Sequence, residues 1–275
     1  MNSRAIRSLL IALLSCGAIF AQESAPEPEG SPLKWQEGPT VASLGSIAEI
    51  NVPEGYAFVA GDDTRMLMET MQNPISGREL GLLIEQGSDW FILFEFDDTG
   101  YVPDDEKAKL DADAMLKSIR TGTEASNVER RKKGWPEMTI TGWETPPRYN
   151  DATKNLEWAI RGESQGSPVI NHNTRLLGRE GVMRVTLVSD PAKLPEAMPR
   201  FETLIAGYDY KEGHRYAEFK KGDKMAKYGL TALVVGGASA VAVKSGLFKW
   251  LWKALVVGGV AIAGIVKKFF GGKSE

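Results

Sequence analysis

Two short stretches of this chain concentrate side chains able to do chemistry. The first holds Asp97, Asp98, Asp104, Asp105, Glu106, Asp111 and Asp113. Hard divalent cations want several carboxylate oxygens, so cation binding is the chemistry such a cluster would support. An EF-hand loop needs ligands at alternate positions, a central glycine and a closing glutamate, and this spacing does not match it. The same residues also suit structural tasks: Asp98 a turn, and Asp104 and Asp105 the cap of a helix, where carboxylates meet free N–H groups and the positive end of the dipole.

The second stretch is Asn171-His172-Asn173-Thr174-Arg175. It lies on an expected strand, yet polar residues occupy both of its faces, where a half-buried strand would alternate. On a functional reading Asn171, His172, Asn173 and Arg175 form a polar patch lining a pocket; an exposed or edge strand explains them without one. His172 and His214 are the only imidazoles, and two distant histidines make no metal triad. No serine sits in a Gly-x-Ser-x-Gly elbow. Asp62, Asp63 and Arg65 follow Gly61 as an ion-binding loop or, more simply, as a helix cap. Trp35, Trp90, Trp135, Trp143 and Trp158 can stack a planar ligand, but large rings ordinarily fill cores and rims. These residues assign no catalytic centre, no cofactor and no metal. A carboxylate- or metal-dependent enzyme combining the Asp97–Asp113 region with His172 is the alternative to a non-enzymatic binding or accessory module.

The elements that must position these residues follow from periodicity and punctuation. Strands are expected at Ile47–Val52 and Tyr56–Ala60 around a Pro53-Glu54-Gly55 turn, then a short helix through Met71 capped by Asp62 or Asp63. Leu80–Glu85 and Trp90–Phe96 read as a hairpin closed by Gln86-Gly87-Ser88. Pro103-Asp104-Asp105 opens a long helix from about Glu106 to Lys133, with the stripe Leu110, Ala114, Met115, Ile119 and Val128, stopped by Gly134 and Pro136. An antiparallel meander follows. Its parts are Met138–Trp143 and Arg148–Tyr149, then Leu156, Trp158 and Ile160 alternating with polar residues, then Val169–Leu177 paired with Val182–Val188. Asp190-Pro191 begins a last helix carrying Leu194, Met198, Phe201 and Ile205, ended by Gly207. Short connections make neighbouring strands antiparallel, and the helices must cover a face, which gives an α+β fold. By element order it is similar to the Mog1/PsbP-like sandwich, an analogy that carries no function.

Composition fixes an expected address. Met1–Phe20 has a basic start and an apolar stretch, with Ala21 at the break: a secretory signal peptide over residues 1–21. Leu13-Leu14-Ser15-Cys16 also resembles a lipobox that would lipidate Cys16, and an uncleaved signal anchor is a third reading. Cys16 is the only cysteine, so a chain cut after Ala21 has neither disulfide nor thiol chemistry. Residues 22–39 read as a flexible leader, residues 40–219 as an exported domain, and residues 220–275 as a membrane anchor.

The anchor rests on two apolar runs, about 228–243 and 250–266, bracketed by Lys227, Lys244, Lys253 and Lys267, with Trp250 and Trp252 as interfacial rings. Small residues four apart, such as Ala232 and Gly236 or Gly259 and Ala263, let helices approach closely in lipid. They suggest a transmembrane hairpin able to self-associate; a single span with a surface segment is the alternative. The expected address is therefore the bacterial inner membrane, with the main domain in the periplasm. Lys220–Glu275 carries a net +8; with Arg4 and Arg7 also set apart, residues 22–219 are left at −13 against a total of −3. An acidic domain on a basic stalk excludes nucleic acid as a partner. The expected partners are the lipid bilayer, an envelope protein or a small ligand, and a second copy through the anchor.

A family resemblance runs through the same residues. Val52-Pro53-Glu54-Gly55-Tyr56, Phe94–Val102, Gly134-Trp135-Pro136, Leu156-Glu157-Trp158-Ala159, Asn173–Arg179 and Gly213–Phe219, in order, resemble domain-of-unknown-function family 2167. Its members are predicted bacterial membrane-anchored proteins. The resemblance implies an envelope address and carries over no activity or catalytic residue.

Overall fold

The computed structural model describes residues 33–235. The signal peptide with its Cys16 alternative, the leader as far as Pro32 and the anchor beyond Val235, including its Gly236 and Gly259 contacts, lie outside the described residues. Four short strands open the fold: β1 (Gln36–Glu37), β2 (Thr40–Leu44), β3 (Ala48–Val52) and β4 (Tyr56–Ala60). Helix α1 (Gly61–Thr70) and the hairpin β5 (Glu79–Glu85) and β6 (Phe91–Asp97) follow. Helix α2 (Ala112–Lys132) precedes the meander β7 (Thr139–Asn150), β8 (Asn155–Ser164), β9 (Ser167–Leu177) and β10 (Val182–Ser189). Helix α3 (Leu194–Ala206), strand β11 (Tyr208–Tyr210) and helix α4 (Leu230–Val235) come last.

These strands form an eight-stranded antiparallel sheet in the order β1-β4-β5-β6-β10-β9-β8-β7 and a three-stranded sheet in the order β11-β3-β2. The fold is the expected antiparallel sheet with flanking helices. Each face of the large sheet has its own core. On one, Phe58, Ile92, Phe94, Met183, Val185 and Leu187 meet the small sheet and α3 through Ile50, Phe201 and Leu204. On the other, Leu156, Trp158 and Val182 meet α2 and α4 through Met115, Leu230 and Leu233, while α1 covers Leu82 and Leu93 with Met68. We call these the α3 face and the α2 face. Gly81 is required where Phe58 lies flat across β5, since a Cβ there would stand 2.1 Å from the ring.

Several expectations are corrected. The leader ends early, because Gln36–Glu37 pairs with β4 and Leu33 packs beside Val59 and Met68. Asp62 and Asp63 do not cap α1; its cap is Ala60, while Asp63 accepts from the Lys34 amide at 2.9 Å and Asp62 pairs with Arg65. Helix α2 starts at Ala112 rather than Glu106, because Asp111 takes the cap by accepting from the Ala114 amide at 3.0 Å. Val128 leaves the buried stripe and is 41% exposed, while Asn127 and Arg130 turn inward. Strand β7 continues through Pro146-Pro147, which the sheet tolerates because β7 is its edge. The folded unit also runs past Phe219: Leu230, Leu233 and Val234 of the first apolar run are buried against α2-face residues. Among the described residues no helix is long and apolar enough to cross a membrane.

Candidate binding groove

Strand β9 lies between β8 and β10, so the polar stretch is neither an edge nor exposed. The pleat divides it, because successive side chains point to opposite faces. His172 and Thr174 turn to the α3 face; Asn171, Asn173 and Arg175 turn to the α2 face. The expected four-residue patch is therefore two separate sets.

On the α2 face, register builds a row of charges across four neighbouring strands. Glu79 of β5 stands opposite Glu95 of β6, Glu95 opposite Arg184 of β10, and Arg184 opposite Arg175 of β9. Ser76 holds the two glutamates together, its hydroxyl oxygen 2.9 Å from a Glu79 carboxylate oxygen and 2.6 Å from one of Glu95, so that its single proton lies between them. Arg78 pairs with Asp97 at 2.6 Å, and Arg184 stands 3.7 Å from Glu95 and 3.9 Å from Asp97. Arg175 is 3% exposed and lies over the Trp158 ring at 4.5 Å, donating only long bonds to the Thr174 carbonyl and Asn173. Burial holds its pKa well below the usual arginine range. This row ties the middle of the sheet together and is closed to solvent at Arg175.

The α3 face is open where α3 stops short of β8. A groove of about 410 Å³ lies there, walled by the last turns of α3 (Phe201, Glu202, Ile205), by β11 (Tyr208, Asp209, Tyr210) and by Glu157, Thr174 and Leu176 of the large sheet, with the β7–β8 turn at its end. Thr174 is 2% exposed, and its hydroxyl has no hydrogen-bond partner among the described residues. The buried Tyr208 hydroxyl has none either. Its neighbour Tyr210 is fully engaged, donating to the Leu176 carbonyl at 2.8 Å and accepting from the Met183 amide at 2.9 Å. Gly178 makes room for that bridge, since a Cβ there would come within 2.7 Å of the Tyr210 ring. Burial, with the neighbouring Tyr210, holds Tyr208 well above the usual tyrosine range, so it stays protonated. His172 sits edge-on to Phe201 at 5.2 Å. Burial and then Arg148 push it down to about 4, which leaves it a neutral imidazole at neutral pH.

The Asp97–Asp113 cluster does not gather around His172. Asp97 and His172 project from opposite faces of the sheet. Asp98 pairs with Lys224, Asp104 accepts from the Tyr149 hydroxyl and pairs with Lys154, and Asp111 caps α2. No group of three acidic or imidazole side chains is placed to hold a metal among the described residues. His214 lies on the far side of the β9–β10 turn, against Glu180 at 2.8 Å. Sequence reasoning singled out none of Glu157, Glu202, Tyr208 and Asp209. The one signal that pointed here was the unbroken polarity of residues 171–175, which contains Thr174.

A family described as protein of unknown function (DUF2167) matches residues 36–267. The chain belongs to the DUF2167 family. No curated protein matches it. Among solved structures, this DUF2167 chain is similar to cyanobacterial PsbP (CyanoP) from Synechocystis sp. PCC 6803, at 13% identity over 67% of this chain and 99% of that one, with a TM-score of 0.40. It is also similar to PA94 of Pseudomonas aeruginosa, a protein of unknown function titled a putative regulator, at 14% identity over 60% of this chain and 92% of that one, with a TM-score of 0.25. At this similarity neither neighbour lends the DUF2167 chain a ligand or a partner.

Proposed function

We propose that the protein is a membrane-anchored envelope protein whose periplasmic domain is a binding module, taking a small ligand in the α3-face groove without chemistry of its own. One observation carries the reading: a cavity of about 410 Å³ opens among the end of α3, strand β11 and the large sheet. The cavity volume falls in the range of small-molecule sites, and its wall mixes apolar Leu176, Phe201 and Ile205 with a few polar groups, as such sites do. The address is supported by the N-terminal signal sequence and by the lysine-bracketed apolar sequence after Val235, from which the reading draws its anchor.

The test is a thermal-shift screen of small polar and amphiphilic compounds on the full-length protein in detergent. A hit should raise the melting temperature of the wild type, while Ile205→Trp and Ala206→Trp, at lining positions that are not buried, together abolish that shift and leave the unliganded protein folded. Hits whose effect survives both substitutions would place binding elsewhere and sink the reading.

A further inference from the structure

The groove's charge and its aromatic wall narrow the class of occupant, an inference that rests on the groove being a ligand site. Its lining carries three carboxylates, Glu157, Glu202 and Asp209, and no lysine, arginine or histidine. Two of them are met from outside the lining: Arg148 reaches Glu157 at 3.0 Å and Arg215 reaches Asp209 at 2.7 Å. Glu202 pairs with no cation among the described residues, so one negative charge stays uncompensated at the rim. Phe201, Tyr208 and Tyr210 line the same cavity, with the Tyr208 and Tyr210 rings forming a perpendicular corner, their centroids 5.3 Å apart at 84°. Ring faces attract ammonium groups through the quadrupole, and aromatic corners backed by a carboxylate are how alkylated ammonium ions are recognised. An anion would meet the uncompensated Glu202 and be repelled. The excess of −13 over residues 22–219 further concentrates cations around the domain.

We propose that the groove binds a small organic monocation, an alkylammonium with an apolar body, its charge compensated by Glu202 and its body lying against Phe201, Ile205 and the two tyrosines. The single uncompensated charge selects one ammonium over a polyamine.

The experiment is calorimetric titration of the full-length protein with choline and with 3,3-dimethyl-1-butanol, its neutral isostere. Choline should bind saturably and about 10-fold more tightly than the isostere, the order expected of a desolvated cation–π contact with a carboxylate. Glu202→Gln, a change at an exposed side chain, should remove most of choline's advantage over the isostere and leave the isostere unchanged. Equal binding of the two probes, or unaltered choline binding by Glu202→Gln, overturns the cation assignment and leaves the groove a ligand site. No saturable choline binding at millimolar concentration also overturns it. If both probes bind and Ile205→Trp, which narrows the groove from a half-buried position on α3, weakens neither, the groove itself is refuted as the site.

Discussion

Removing one hydroxyl from Tyr210 and one from Tyr208 should move stability in opposite directions, although the residues stand on the same three-residue strand. The Tyr210 oxygen bridges β9 and β10, donating to the Leu176 carbonyl at 2.8 Å and accepting from the Met183 amide at 2.9 Å, all of it buried. Tyr210→Phe strands both backbone groups; at about 1–3 kcal/mol for each stranded group, a loss of about 2–4 kcal/mol is expected. For a domain of this size, about 2–4 °C per kcal/mol, that is a fall in melting temperature of roughly 5–15 °C. Gly178→Ala should give a loss of the same kind, because the added methyl occupies space within 2.7 Å of the Tyr210 ring. Tyr208→Phe strands nothing and removes a buried hydroxyl that has no partner, so the expected change lies between zero and a gain of about 1 kcal/mol. Urea unfolding of the full-length protein, followed by tryptophan fluorescence, measures all three. A loss greater than about 1 kcal/mol in Tyr208→Phe would show that its hydroxyl is satisfied, and the contrast between the two tyrosines would fail. A change under about 0.5 kcal/mol in Tyr210→Phe would refute the bridge.

Three further outcomes are expected. His172 is held down to about 4 by burial and Arg148, whereas the unfolded imidazole titrates near 6.5. Because the unfolded chain takes up the proton first as pH falls, about 3 kcal/mol of stability should be lost between pH 6.5 and pH 4; His172→Leu should flatten that part of the stability–pH curve, and an unchanged slope would refute the assignment. In the charge row, Arg184→Met should cost about 3 kcal/mol by leaving Glu95 buried without its cation, whereas Arg175→Met, at a site with no ion pair to break among the described residues, should change stability by less than about 1 kcal/mol. Equal losses in chemical unfolding would contradict that asymmetry. Finally, a fragment ending at Phe219 should be less stable than one ending at Val235 by at least about 4 kcal/mol, since Leu230, Leu233 and Val234 each lose their burial; equal unfolding midpoints would remove α4 from the core.

What could be read in the sequence was whatever a single element decides alone. Leu156, Trp158 and Ile160 alternate with polar residues because β8 has one apolar face, and α3 shows its stripe because one side of it meets the sheet. The start of α2 was misplaced because more than one aspartate could cap it and only the fold distinguishes them: Asp104 is taken by Tyr149 and Lys154, whereas Asp111 accepts from the Ala114 amide. Strand β11 is three residues long and shows no period to detect. Register is invisible locally, so the row Glu79, Glu95, Arg184 and Arg175 appears only once four strands from distant parts of the chain are paired. The polarity of β9 looked like exposure because a strand polar on both faces is ordinarily an edge; here one face meets a charge row and the other a groove. The groove was out of reach for the same reason, since its walls come from residues as far apart as Thr153 and Tyr210.

The two cores on either side of the sheet close at different points along the chain. The α3-face core draws on nothing beyond Tyr210, whereas the α2-face core needs Leu230, Leu233 and Val234. A chain emerging from its N-terminus can therefore bury the first core, groove included, while Leu156, Trp158 and Val182 still wait for their last partners. During synthesis the N-terminal part of a chain is available before the rest, and an apolar surface left bare in the interval is open to aggregation. Helix α4 thus acts as a latch: assembly is complete only when the residues leading into the next apolar stretch have been delivered, which ties the finishing of this domain to the arrival of its C-terminal segment.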